Sequence, residues 1–138
     1  NVDCPAVFLP VTVAHEFAHQ RGVAAEQEAN FCGIYASVNS DNPLYSYSGW
    51  LYGYLHLSNA LYEADPDLAA ARMEELCPQA IADLAQNNAY WAAWEGPAEE
   101  VGDVVYEGFL QSYDQKLGMR SYGACVDLLV EKYLPLAG

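Results

Sequence analysis

Apolar residues recur at helical spacing along most of the chain, and the breaks between such segments fall at Gly, Pro and Asn/Asp clusters. Pro10 suits the first turn of a helix over about 11–21, with Gly22 as its stop. A second helix is predicted over about 24–38, ended by Asn39-Ser40-Asp41-Asn42-Pro43. A third fits about 46–63, with Leu51, Leu55 and Leu61 among its apolar positions. Asp65 and Pro66 read as N-cap and first residue of a short fourth helix, which Cys77-Pro78 interrupts. A fifth is predicted over about 79–94, a sixth over about 98–117, and a last one from about Ser121 to just before Pro135. Strand-type alternation is confined to a short run at about 6–9, too little to build a sheet. The expected class is all-α, a compact array of about six or seven helices joined by short loops.

The length, 138 residues, suits one domain with a real core, and 53% hydrophobic residues argue against disorder. A net charge of −14 changes the list of partners. Such a field repels phosphate backbones and anionic membrane surfaces, and attracts cations and basic peptides. Nucleic acid is therefore not expected as a partner. The four cysteines, Cys4, Cys32, Cys77 and Cys125, contain no CxxC pair. Two disulfides and four free thiols both remain open on this count. No run of about 18 apolar residues is present to span a bilayer.

The chemistry concentrates in residues 12–31, TVAHEFAHQRGVAAEQEANF. His15 and His19 lie four apart, on one face of a helix and one turn from each other. Two imidazoles so placed can hold one zinc ion, and Glu16 can take the proton of a water polarised beside it. Thr12, Val13, Phe17 and Ala18 are uncharged, as expected of a buried active-site helix. Arg21 is an unusual neighbour, tolerated at a helix C-terminus where it favours the dipole.

A catalytic zinc commonly takes three protein ligands and keeps one position open. Gly22 ends the first helix, so the next can fold back and bring a carboxylate. Glu26 and Glu28 are the nearest, and they cannot both face the ion, because residues two apart on a helix diverge by about 200°. Glu26 shares its face with Ala29, Asn30, Gly33 and Ser37, small or polar residues that permit close approach. Glu28 shares a face with Phe31, Cys32 and Tyr35, which reads as packing surface. Glu26 is the expected third ligand. Glu28 is expected to support the site from outside or to pair with Arg21, and Asn30 to orient a ligand by a hydrogen bond.

The stretch HEFAHQRGVAAEQEAN resembles the signature of gluzincin-type metallopeptidases, in which HExxH is followed by a Glu in an ExxAD or ExEAN context. The first Glu is the ligand in those patterns. Carried over, the resemblance implies His15, His19 and Glu26 as ligands, with Asn30 in the place of the Asp. Nearly the whole chain is similar to an uncharacterised bacterial family regarded as zinc-dependent peptidases, through VAHEFAHQRG, EQEANF, YSG at 47–49, NNAYW at 87–91 and SYGACVDLL at 121–129. That resemblance implies a single zincin-like catalytic domain over 1–138, cut from a longer protein. Transmembrane helices precede the domain in the family, so a membrane-anchored parent with this domain outside the cytoplasm is implied. Any membrane contact would run through segments outside this chain.

The expected activity is hydrolysis of peptide bonds in a peptide or protein substrate, with Zn2+ as cofactor and Glu16 as base. Enzymes of this kind often stabilise the oxyanion with a Tyr or His from a later helix. Tyr47, Tyr90 and Tyr122 stand beside turns or helix starts and are candidates, although each of the 11 tyrosines can equally serve packing. His56, between Leu55 and Leu57, reads as a structural histidine. The alternative reading is an inactive zinc-binding domain that serves as a peptide or protein interaction module. Retention of Glu16 argues against it, since a holding site needs no base. A further departure concerns the substrate. Many zincins hold the peptide on a sheet edge before the active-site helix, and only fourteen residues precede His15 here.

Overall fold

The computed structural model describes residues 4–94 and 121–137. Six α-helices carry the described residues: α1 (Leu9–Gln20), α2 (Glu26–Val38), α3 (Pro43–Ala64), α4 (Pro66–Glu74), α5 (Pro78–Trp94) and α6 (Ser121–Tyr133). The protein is all-α, and no strand occurs among the described residues. The short alternating run at 6–9 forms a 3-10 turn, Ala6–Phe8, that leads into α1 and buries Phe8. The helix expected over about 98–117 lies outside the described residues.

Local chemistry sets the helix ends. Pro10 occupies the first turn of α1, where its missing N–H costs no hydrogen bond. The Asn42 side chain caps α3 by accepting from the Leu44 N–H at 2.9 Å. Pro43 follows as the first helical residue, which is why α3 begins three residues before the expected start. Asp65 caps α4 in the same way, accepting from the Leu68 N–H at 3.0 Å. After α6 the chain tightens into a second 3-10 turn, Leu134–Leu136, around Pro135.

Helix α2 is central, packing against α1, α3 and α6. Two glycines let it sit so close. A Cβ at Gly33 would lie 3.0 Å from the His15 backbone nitrogen, and one at Gly49 of α3 would lie 2.8 Å from the Ser37 Cβ. The main core joins Phe8, Val11, Ile34, Leu51, Tyr52, Leu55, Leu84, Cys125 and Leu129 from the 3-10 turn and five helices. Inside it, the Val11 N–H of the first turn of α1 donates to the Ser48 Oγ of α3 at 3.2 Å, which pairs one of the N–H groups a helix start leaves free. All four cysteines are unbridged, and burial pushes the Cys125 thiol up to about 12.

Candidate metal centre

The site is built at the turn between α1 and α2. Gly22 adopts a left-handed φ of 97°, open to glycine at no steric cost. Its N–H donates to the His19 carbonyl at 3.0 Å, and the Val23 N–H donates to the Ala18 carbonyl at 3.1 Å. This is a Schellman closure of α1. It leaves the Val23 carbonyl beside the His19 ring, where Nδ1 donates to it at 2.7 Å. With its proton on Nδ1, the neutral ring offers the lone pair of Nε2 to the site.

The turn also delivers the first residue of α2. Glu26 Oε2 lies 3.3 Å from His15 Nε2, and Glu26 Oε1 lies 3.3 Å from His19 Nε2. The two Nε2 atoms are 3.0 Å apart. Three acceptor-capable groups from one helix and the start of the next thus converge on one point. A single imidazole proton cannot serve all of these short contacts, whereas one cation can. Tetrahedral ligands about 2.0–2.1 Å from an ion sit about 3.3–3.4 Å from one another, close to the spacings found. The three residues form a group that could hold a metal ion, and no other such group of three or more His, Cys, Asp or Glu occurs among the described residues.

The surroundings favour a ligating state for His15. Its side chain is buried, and burial holds its pKa below the ordinary histidine range, against the opposing attraction of Glu26. A neutral ring is the form that binds a metal. Asn30, one turn past Glu26 and 6% exposed, lies near the His15 side chain and favours a proton on it, more weakly than Glu26 does. His56 of α3 stands in the core near His15, in edge contact with Tyr52 at 4.8 Å. Neither of its ring nitrogens has a hydrogen-bond partner, and burial lowers its pKa to about 4, helped by the charge His15 would carry.

Glu16 is exposed on α1 beside His15, near enough to favour a proton there. Phe17, expected on a buried helix, is 57% exposed, because α1 packs only its Val11, His15 and Ala18 side inward. On α2 the small-residue face holding Glu26 is the buried one. The face of Glu28 is the less covered: Glu28 is exposed, and Phe31 stacks on Tyr35 at 6.0 Å with Tyr35 partly in solvent. Among the described residues, Glu28 and Arg21 make no ion pair with each other. Tyr47 donates to Asp83 Oδ2 of α5 at 2.6 Å, and burial together with that carboxylate raises its pKa. Tyr90 sits against Trp91 on α5. Tyr122 belongs to the first turn of α6, and its side chain lies outside what the structure describes.

Sequence reasoning pointed to the three residues that converge and to Gly33 as a place of close approach, but missed two supports: the Val23 carbonyl and the nearness of His56. Gly22 signalled the first, as a glycine at a helix end. The other depends on which helices pack together, and carries no local signal.

Comparison with known families places the chain in one of them. A family model described as a protein of unknown function, DUF3810, matches residues 1–130. The chain belongs to this family. No curated protein matches the chain, and no solved structure matches it.

Proposed function

We propose that this domain is a zinc-dependent metallopeptidase. The observation that carries the reading is the convergence of His15, His19 and Glu26 with Glu16 exposed on the next residue of the same helix. Two imidazoles and one carboxylate suit zinc, and three protein ligands leave a position for water. Zinc, when bound, supplies a Lewis acid that polarises water and the scissile carbonyl. Glu16 accepts the water's proton and passes it to the leaving nitrogen. His19 keeps its ligating tautomer through Val23, and Asn30 steadies His15.

The negative charge of the chain favours basic segments of a substrate over acidic ones. A membrane-anchored parent belongs to the same proposal, and none of the described helices is long and apolar enough to cross a membrane. Digestion of a peptide mixture tests the reading. Zinc-loaded protein is expected to cleave, and Glu16→Gln to bind zinc equally well and cleave at least about 100-fold more slowly. Equal inertness of both, with zinc bound, would replace the peptidase with a zinc-holding interaction module.

A further inference from the structure

Thr12 brings a hydroxyl to the catalytic face of α1. On a helix turning about 100° per residue, it projects between His19 and Glu16, about 20° from the first and about 40° from the second. It lies one turn before Glu16, so the two side chains are neighbours on the helix surface. Val11, His15 and Ala18 form the buried row of α1, and Thr12 stands half-buried at the edge of that row on the Glu16 side. A hydroxyl inside a helix commonly turns back to a carbonyl one turn earlier. Ser58 of α3 does so, donating to the Leu55 carbonyl at 3.1 Å. The Thr12 hydroxyl donates to no group among the described residues. It is free to meet a ligand on the side where Glu16 and the open edge of the metal centre lie.

We infer that Thr12 determines specificity: its hydroxyl pairs with the side chain of a substrate residue beside the scissile bond and selects an uncharged, hydrogen-bonding one such as serine. The inference rests on the peptidase reading of the site. A scissile carbonyl held at His15, His19 and Glu26, with Glu16 beside it, draws the flanking substrate residues along α1. An extended peptide advances about 3.3 Å per residue and a helical turn about 5.4 Å, so a side chain next to the scissile bond reaches Thr12. Glu16 and Glu26 disfavour an acidic side chain in that place. Leu9, three residues before Thr12 and 40% exposed, offers apolar contact beyond it.

Serine hydroxamate and 2-aminobutyric hydroxamate differ only by a hydroxyl in place of a methyl, and both bind zinc through the hydroxamate. Calorimetric titration of the zinc-loaded chain with each reads the subsite without any need for cleavage. Serine hydroxamate is expected to bind about five- to tenfold more tightly. Thr12→Val keeps the shape of the side chain and removes its hydroxyl. It is expected to abolish the preference, with zinc content and melting temperature unchanged, and Thr12→Ser to restore it. Equal affinities in the wild type, or a preference that survives Thr12→Val, would overturn the proposal and leave the metal centre standing. A chain that takes up no zinc, or takes it up and binds neither compound, would overturn the proposal together with the peptidase reading.

Discussion

Gly33 lies against the backbone of His15 so closely that a Cβ there would stand 3.0 Å from its nitrogen and 3.1 Å from its Cα. Backbone cannot give way as a flexible side chain does. The contact sets how near α2 approaches α1, and with it the distance from Glu26 to the two imidazoles. Gly33→Ala is therefore expected to cost about 1–3 kcal/mol of stability and to lower zinc affinity about tenfold or more. Denaturant unfolding with and without zinc, and chelator competition, measure the two effects.

The turn at Gly22 makes a second claim. Any other residue at φ 97° is strained, by about 1–3 kcal/mol. Gly22→Ala is expected to shift the Val23 carbonyl that His19 Nδ1 uses. The loss of stability should then be larger with zinc than without it. Equal losses in both conditions would detach the turn from the site.

Removing metal tests whether the site is formed in the folded state alone. An ion present at a hundred times its Kd stabilises by about 2.7 kcal/mol. Chelator is expected to lower the melting temperature by on the order of 10 °C. Glu16→Gln should show the same drop, because Glu16 is not a ligand.

His56 gives a pH dependence whose sign is fixed by burial. Its folded pKa of about 4 lies below the ordinary 6.5. The unfolded chain therefore binds the proton more readily, and stability falls as pH drops from about 6.5 toward 4. The full effect is about 3 kcal/mol at ~1.4 kcal/mol per pH unit. In metal-free protein, His56→Leu is expected to flatten the unfolding free energy over that window relative to wild type. An unchanged slope would mean that His56 is not held neutral by the core.

Tyr47 and Tyr122 separate by what their hydroxyls do. Tyr47→Phe breaks the bond to Asp83 and is expected to cost about 1 kcal/mol of stability with zinc content unchanged. If it leaves cleavage intact while Tyr122→Phe slows it, Tyr122 is the oxyanion donor. The reverse result would assign that role to Tyr47.

Much of this arrangement was legible in the sequence, for definite physical reasons. Helix ends rest on local chemistry, so Pro10, Gly22, Asp65 and Pro66 marked them within a residue or two. Helical periodicity fixed which way each side chain points, and so separated Glu26 from Glu28. The small residues on the Glu26 face also marked the side on which α2 closes on α1, and what sequence misjudged was the opposite face. Phe31 and Tyr35 look like core by hydrophobicity, yet Gly33, Ser37 and Ala29 form the buried face, because small residues permit the closest helix contact. The Tyr47–Asp83 bond and the place of His56 beside His15 join helices distant in sequence, and no local pattern encodes them.

Metal content by elemental analysis, on protein purified without a histidine tag, tests the central claim most directly. About one zinc per chain is expected in wild type, Glu16→Gln and Glu28→Ala, and its loss in Glu26→Ala. A wild-type chain that stays empty after incubation with zinc, or a Glu26→Ala chain that keeps its ion as firmly as wild type, would contradict the assignment of His15, His19 and Glu26 as a metal centre.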